Sequence, residues 1–201
     1  MTLFLLFLCN ISFGQISLRA VNYRPAGELG FTMKPLISAE IGWQSRFSKR
    51  STKRFRHGMS IMYLAMKPRM EVFPTYGVLY DGNGTTVIPS AQAFQKYAIF
   101  QVAAGSDFAF IHKKQFNVFV GADLIAGAAS IDYTSNNVLS GETYQGGSIL
   151  AGFRGRLGAE YRINDQISVF LTVNHHRMMI ADPLSFIHAN DVGLGARYSF
   201  N

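Results

Sequence analysis

The closing segment of the chain constrains its fold most strongly, because apolar residues there alternate with polar or small ones. The apolar positions are Val192, Leu194, Ala196, Tyr198 and Phe200, and the positions between them are Asp191, Gly193, Gly195, Arg197 and Ser199. A period of two places the two sets on opposite faces of a β-strand. The same alternation recurs over most of the chain, so the sequence predicts a sheet with one apolar face and one face that carries charges.

The position of the charges decides between a soluble barrel and a membrane barrel. In the segment near residues 147–163, Arg154, Arg156 and Arg162 all fall on the face opposite the apolar one. A soluble, lipocalin-like barrel turns its apolar face inward, and the alternation around these arginines fits that arrangement poorly. A transmembrane β-barrel has lipid outside and a polar interior, and this is the interpretation that the pattern favours.

Length and composition are consistent with a single exported domain of 201 residues. No stretch of about 18 apolar residues is present that could span a bilayer as a helix. The apolar run from Leu3 to Cys9, followed by the small residues Ser12 and Gly14, predicts a signal peptide over residues 1–14, although no basic residue precedes Leu3. The barrel domain is then 15–201. Cys9 is the only cysteine and lies within the predicted signal, so no disulfide is expected.

The turn residues set the expected number of strands. Short turns are predicted at Lys113-Lys114, at Asn164-Asp165, within residues 30–39 and, more weakly, within residues 66–70, all on the periplasmic side. They favour ten antiparallel up-and-down strands near 16–24, 27–33, 36–46, 57–67, 69–76, 97–110, 115–130, 147–163, 166–180 and 189–200. Longer outer loops are then expected at about 47–56, 77–96, 131–146 and 181–188. An eight-stranded alternative makes residues 48–54 a periplasmic turn, but ten strands keep Pro35 and Pro68 out of the ladders.

The chain resembles the small Bacteroidota-type outer-membrane β-barrel proteins. The resemblance rests on Ser12-Phe13-Gly14-Gln15, on the strand–turn–strand units around Lys113-Lys114 and Asn164-Asp165, and on the closing strand. It implies a location in the cell outer membrane and delivery by the barrel assembly machinery, which reads a terminal aromatic residue. Phe200 is penultimate here, because Asn201 follows it. The resemblance implies no specific activity.

The inward-facing set carries charges of both signs. Its predicted members are Glu40, Asp107, Asp123, Arg154, Arg156, Glu160, Arg162, Asp191 and Arg197. Mixed signs in a narrow lumen indicate interior ion pairing, and a barrel of about eight strands is filled by its own side chains. A structural charge network is therefore the favoured interpretation, and a narrow path for ions or small solutes is the alternative.

A second group of charges forms a basic run within a formal net charge of +7. The run includes Lys49, Arg50, Lys53, Arg54 and Arg56. A solvated outer loop is the simpler interpretation, and contact with lipopolysaccharide phosphates is the functional one, since Arg and Lys pair well with phosphate. Nucleic acid is not expected as a partner of an exported chain that has no recognition helix beside the run.

The histidines predict neither a metal site nor a cofactor. Adjacent strand residues point to opposite faces, so His175 and His176 cannot both be ligands, and with His188 they are interpreted as surface residues near one outer rim. Ser185 and His188 could serve a lipid-modifying enzyme, but nothing in the sequence fixes their geometry. We therefore predict a non-enzymatic structural or interaction barrel, such as an accessory subunit of an envelope complex in contact with outer-membrane lipid. A narrow porin-like channel is the alternative.

Overall fold

The computed structural model describes residues 14–46, 54–80, 82, 84–137, 140–181 and 185–200. These residues form β1 (Gln15–Ala26), α1 (Gly27–Thr32), β2 (Leu36–Gln44), β3 (Phe55–Met66), β4 (Phe73–Tyr80), β5 (Thr85–His112), β6 (Phe116–Asn137), β7 (Ser140–Arg162), β8 (Ile167–Ile180) and β9 (Ser185–Ser199). Most of the predicted signal peptide and residues 47–53 of the basic run lie outside the described residues. In the part that the structure covers, no helix has the length and apolar character needed to cross a membrane.

Eight of the described strands close into an antiparallel barrel. The ring runs β1-β2-β3-β5-β6-β7-β8-β9, and β9 pairs back onto β1. Strand β4 lies outside this ring and pairs with residues 85–92 of β5. The predicted antiparallel barrel is confirmed. The ring has the eight strands of the alternative rather than the favoured ten.

The two excess strands of the prediction have different fates, because the one expected at 69–76 corresponds to β4, which pairs outside the ring. The predicted strand 27–33 is the short helix α1, in which Leu29 is buried, with Met33 buried just beyond its end. These two residues are four positions apart, which is the spacing of one helical face. The connection that contains α1 lies at the opposite end of the barrel from the Lys113-Lys114 turn, so its predicted periplasmic position is wrong. The turn predicted within residues 66–70 follows the distal end of β3, so its periplasmic position is wrong for the same reason.

The two ends of the barrel have different architectures. The proximal end holds Gln15, Gln44 and Ser199, together with the short turns after β5 and β7. At the distal end, β4 and the extensions of β5 (85–96), β6 (131–137) and β7 (140–146) form a four-stranded distal sheet beyond the ring, where outer loops at 77–96 and 131–146 were expected. Outer-membrane barrels have short periplasmic turns and longer extracellular loops, so the proximal end is periplasmic and the distal end extracellular.

The outer surface of the ring is apolar. Leu124, Ile149 and Leu194 are exposed over 76%, 73% and 64% of their surface, while their strand neighbours Asp123 and Leu150 are buried. This confirms the predicted facing of β6, β7 and β9. A closed barrel that exposes apolar side chains and buries charges is built for lipid, and the chain is therefore an outer-membrane β-barrel.

Candidate functional site: the filled lumen

The interior of the barrel is divided into two regions. In the proximal half, charged side chains from seven of the eight ring strands meet in an ion-pair chain. In the distal half, apolar side chains form an apolar layer beneath α1. Inward-facing residues of the same strands form both regions. The inward side chains therefore change from charged to apolar along the length of the strands.

The ion-pair chain is continuous and alternates in sign. In order, its members are Asp191, Arg19, Glu40, Arg154, Asp123, Arg156, Asp107, Arg56, Glu160 and Arg197, and each one contacts the next. Within the described residues, five guanidinium groups thus face five carboxylates. Buried charges are tolerated when they are paired and hydrogen-bonded, and a balanced chain meets that condition.

The interior members of the chain each bridge two partners. Arg154 donates from Nη1 to Glu40 at 2.6 Å and from Nε to Asp123 at 2.7 Å. Arg56 donates from Nη2 to Asp107 at 2.7 Å and from Nη1 to Glu160 at 2.8 Å. Both arginines are about 1% exposed, so these contacts replace nearly all of their hydration.

Neutral side chains complete the surroundings of the charges. Ser60 accepts from Arg154 Nη2 at 3.0 Å, and Ser168 donates to Glu160 Oε1 at 2.7 Å. The Arg197 guanidinium lies 3.9 Å from the centre of the Phe170 ring. Such a cation–π contact adds favourable electrostatics where water is excluded.

Inward glycines provide the space that these side chains occupy. A Cβ atom on Gly158 would lie 2.3 Å from the Phe119 ring, and one on Gly105 would lie 2.5 Å from Asp123 Oδ1. Neither distance is sterically allowed. The glycines on the polar face are therefore part of the lumenal packing, and no larger residue fits there without displacing a neighbour.

One end of the ion-pair chain, at Asp191, lies among buried polar and aromatic side chains. His176 Nε2 lies 2.6 Å from Asp191 Oδ2, and Asn174 donates to Asp191 Oδ1 at 2.8 Å. The Tyr23 ring packs edge-on against His176 with centroids 5.5 Å apart. His176 is fully buried, so its interpretation as a surface residue is wrong, whereas its neighbour His175 is exposed as alternation requires.

The distal half of the lumen is sealed by the apolar layer and by α1. The layer contains Val21, Leu64, Ile99, Leu150, Met178 and Ile180 among others, and Leu29 and Met33 insert into it from above. Arg69 donates from Nε to the carbonyl oxygens of Gly30 at 2.8 Å and Met33 at 3.1 Å. These bonds hold α1 across the distal opening.

Little free space remains beside the charges. Two voids border the ion-pair chain, one next to Arg56 and Asp107 and the other next to Arg19 and Glu40, and each measures ≈ 10 Å³. A volume of that size holds about one water molecule. Through the part of the lumen that the structure describes, protein side chains therefore fill the cross-section.

The structure brings together most of the predicted lumenal charges. All of them join the ion-pair chain except Arg162, which lies half-buried at the proximal rim beside a groove of ≈ 770 Å³ that Lys113 and Lys114 also line. Sequence analysis missed Arg19. The signal was available, because Arg19 alternates with the lipid-facing Leu18 within β1.

The described strands on either side of the basic run end at the proximal end of the barrel, opposite to where an outer loop was expected. The connection from β2 to β3 joins strand ends at the proximal, periplasmic end, whereas lipopolysaccharide lies in the outer leaflet. Arg56 is buried in the lumen, so its assignment to lipopolysaccharide contact is wrong. Arg54 is exposed at the proximal end, and Lys49, Arg50 and Lys53 lie outside the described residues.

Comparison with known proteins supports the fold. No protein-family model matches the chain, and no curated protein matches it. Neisserial surface protein A (NspA) superposes with a TM-score of 0.59 at 14% identity, over 93% of this chain and 97% of that one. The Yersinia pestis attachment invasion locus protein Ail, solved with the heparin analogue sucrose octasulfate, gives 0.44 at 10% identity over 94% and 97%. The N-terminal barrel domain of Pseudomonas aeruginosa OprF gives 0.41 at 12% identity over 92% and 97%. The superposition on NspA, together with the closed antiparallel ring, shows that the chain has the fold of a small outer-membrane β-barrel.

Proposed function

We propose that this chain is a non-enzymatic outer-membrane protein with a sealed lumen, which acts through its extracellular surface as a structural or interaction subunit of an envelope complex. The observation that carries this proposal is the filled interior. Charged side chains occupy the proximal half, apolar side chains occupy the distal half, and α1 covers the distal opening. With the interior closed, the surface that extends beyond the membrane is what remains for function.

The distal sheet supplies such a surface. Tyr76 and Tyr80 are exposed over 75% and 80% of their surface, and Val87, on the same face by register, is exposed over 60%. Exposed aromatic and apolar groups outside the lipid band are typical of protein contact sites. Among the described strands, β4 pairs on one side only, which leaves a backbone edge available for a partner strand.

The two other candidate functions have less support. A porin-like channel needs a water-filled path, and the described lumen offers voids of ≈ 10 Å³. A hydrolase needs a nucleophile and a base that a substrate can reach. The buried His176–Asp191 pair resembles half of such a site, but both side chains are fully enclosed.

Planar-bilayer recording tests the sealed lumen. We expect the purified protein to insert without discrete conductance steps, in parallel with a known porin as the positive control. Reproducible single-channel steps from the unmodified protein would overturn the sealed-lumen proposal in favour of the channel.

Site-specific photo-cross-linking in cells tests the interaction role. A photoreactive amino acid in place of Tyr76 is expected to give discrete protein adducts. The matched control is Leu124, which is equally exposed but faces lipid, and which is expected to give none. Identical adduct patterns at the two positions, or none at Tyr76, would contradict the proposed contact surface.

Three further expectations accompany this proposal. They are that residues 1–14 form a cleaved signal peptide, that the barrel assembly machinery inserts the chain, and that the protein is of the Bacteroidota type. The motivation is the run Leu3 to Cys9 followed by Ser12-Phe13-Gly14-Gln15. The intact mass of membrane-extracted protein checks the first expectation, which requires a mature chain that begins at Gln15.

A further inference from the structure

We infer that the outward face of β8, β9 and β1, at the distal edge of the lipid-facing band, binds the phosphate groups of lipopolysaccharide. The site, called here the basic rim, consists of Arg24, His175, Arg177 and His188. It lies on a different part of the molecule from the basic run, and it does not depend on the interaction role proposed above.

Strand register brings these four side chains together. Arg24, Asn190 and His175 are direct neighbours across the three strands, and the next row outward contains His188 opposite Arg177. Arg24, His175 and Arg177 are exposed, and His188 is half-buried. The His175 and His188 rings lie 6.4 Å apart, and His175 Nδ1 is 2.9 Å from Asn190 Oδ1. The four side chains thus form one patch on three paired strands of the sheet.

The patch lies near the distal end of the apolar outward face. Two residues along the strands towards the proximal end, the same face presents Val173 and Val192, and two residues further it presents Leu171 and Leu194. Two residues span about 6.6 Å of strand, so the His175–Asn190 row lies about that far distal to Val173 and Val192. The next outward row beyond Arg177 and His188 is again apolar, with Met179 opposite Phe186, so the basic rim interrupts the apolar face near its distal end. Because this is the extracellular end, the adjacent leaflet is the one that contains lipopolysaccharide, whose lipid A bears phosphates.

The guanidinium groups of the basic rim are available to a ligand. Unlike the lumenal arginines, Arg24 and Arg177 form no ion pair with any residue that the structure describes. Arg177 lies 5.8 Å from the Phe186 ring centre, and Phe186 is 57% exposed, which suits an aromatic side chain at a membrane interface. The planar guanidinium fork matches phosphate bidentately, and imidazole N–H groups can add further donors.

Lipid binding by the purified protein tests the site. The probes are lipid A with both phosphates, the same lipid dephosphorylated, and inorganic phosphate as a competitor, and native mass spectrometry reports the bound fraction. The test variant is Arg24→Gln/Arg177→Gln. The matched control is Lys113→Gln/Lys114→Gln, which removes the same charge from exposed residues at the periplasmic end.

We expect the unmodified protein to prefer phosphorylated lipid A, and the Arg24→Gln/Arg177→Gln variant to bind it at least about tenfold more weakly while the control binds normally. Equal losses in variant and control would indicate a net-charge effect and overturn the site, as would an unchanged variant. Effective competition by millimolar inorganic phosphate would overturn the assignment to lipid. If the double variant fails to fold, as judged by gel mobility without boiling, single Arg24→Gln and Arg177→Gln variants take its place, and an unchanged affinity in both overturns the site.

Discussion

The two halves of the lumen solve the same packing problem with opposite chemistry. The proximal half is filled by the ion-pair chain, in which Arg154 is about 1% exposed, and the distal half is filled by side chains such as Leu64, which is fully buried. Burial of the apolar side chains away from water stabilises the distal half. Burial of the charges costs hydration free energy, and only the ion pairs with their partners offset that cost. The stability of the distal half therefore depends on how well side-chain volumes fill the space. The stability of the proximal half depends on whether each charged side chain keeps its ion-pair partners.

The comparison implies different responses to substitution. An apolar residue that is shortened leaves a cavity whose cost depends on how far its neighbours relax. A charged residue that is removed leaves its partner buried and unpaired. Four measurements of unfolding free energy, from denaturant titration in lipid vesicles or detergent, test whether the two halves respond differently.

The largest effect is expected in the middle of the ion-pair chain. Arg154→Ala removes the shared partner of Glu40 and Asp123, and we expect it to lower the unfolding free energy by about 3–5 kcal/mol. Arg162→Ala is the control, because Arg162 lies at the proximal rim outside the chain, and its effect should stay within about 0.5 kcal/mol. Equal losses of unfolding free energy in the two variants would show that ion pairing in the lumen does not determine the effect of removing an arginine.

In the apolar layer, the change in unfolding free energy should depend on the volume of the side chain that is replaced. Leu64→Ala is expected to cost about 2–5 kcal/mol through cavity formation. Leu64→Met nearly conserves volume and should cost less than about 1.5 kcal/mol. A Leu64→Met variant as unstable as Leu64→Ala would show that the distal half is not held by packing.

The outer face provides a reference for both halves, because its side chains contact lipid. Leu171→Arg is expected to cost about 2–4 kcal/mol if the residue lies near the bilayer midplane. The same substitution at Tyr198, close to the proximal edge of the band, should cost about 1 kcal/mol or less. A reversed order would contradict the depth assigned to the band.

The smallest effect is a coupling energy at the end of the ion-pair chain. Arg197 pairs with Glu160 at 2.6 Å and forms no other ion pair in the described residues. Arg197→Met and Glu160→Gln together should cost less than the two single changes added, with a coupling of about 0.5–3 kcal/mol. If the two single effects simply add, the contact between Arg197 and Glu160 contributes no interaction energy to stability.

Sequence reasoning predicted the proximal half better than the distal half, for a physical reason. Around Asp123 and Arg154 the inward residues are polar and the outward ones apolar, so alternation reveals both faces. In β3, Met62, Leu64 and Met66 face inward while Ile61 and Tyr63 face outward. When both faces are apolar the period-two signal disappears, and an apolar lumen cannot be distinguished from lipid contact.

Two other features required the structure. Leu29 and Met33 fit either a short strand or one helical turn, because six residues are too few to separate the two periods, and this ambiguity produced one of the two excess strands. The other, expected at 69–76, is β4, which pairs outside the ring. The order of partners in the ion-pair chain depends on strand register and on barrel closure. The contact of Arg19 with Asp191 joins the first strand to the last, which no local pattern predicts.

The alternating order of the ion-pair chain also limits how this sequence can drift over evolutionary time. An interior member such as Arg154 or Asp107 cannot be lost alone, because two neighbours of opposite sign depend on it. The ends are more permissive, since Asp191 has His176 and Asn174 beside it and Arg197 has the Phe170 ring. Proteins that descend from this one should therefore lose members of the ion-pair chain from its ends first. Each loss should remove one arginine and one carboxylate together.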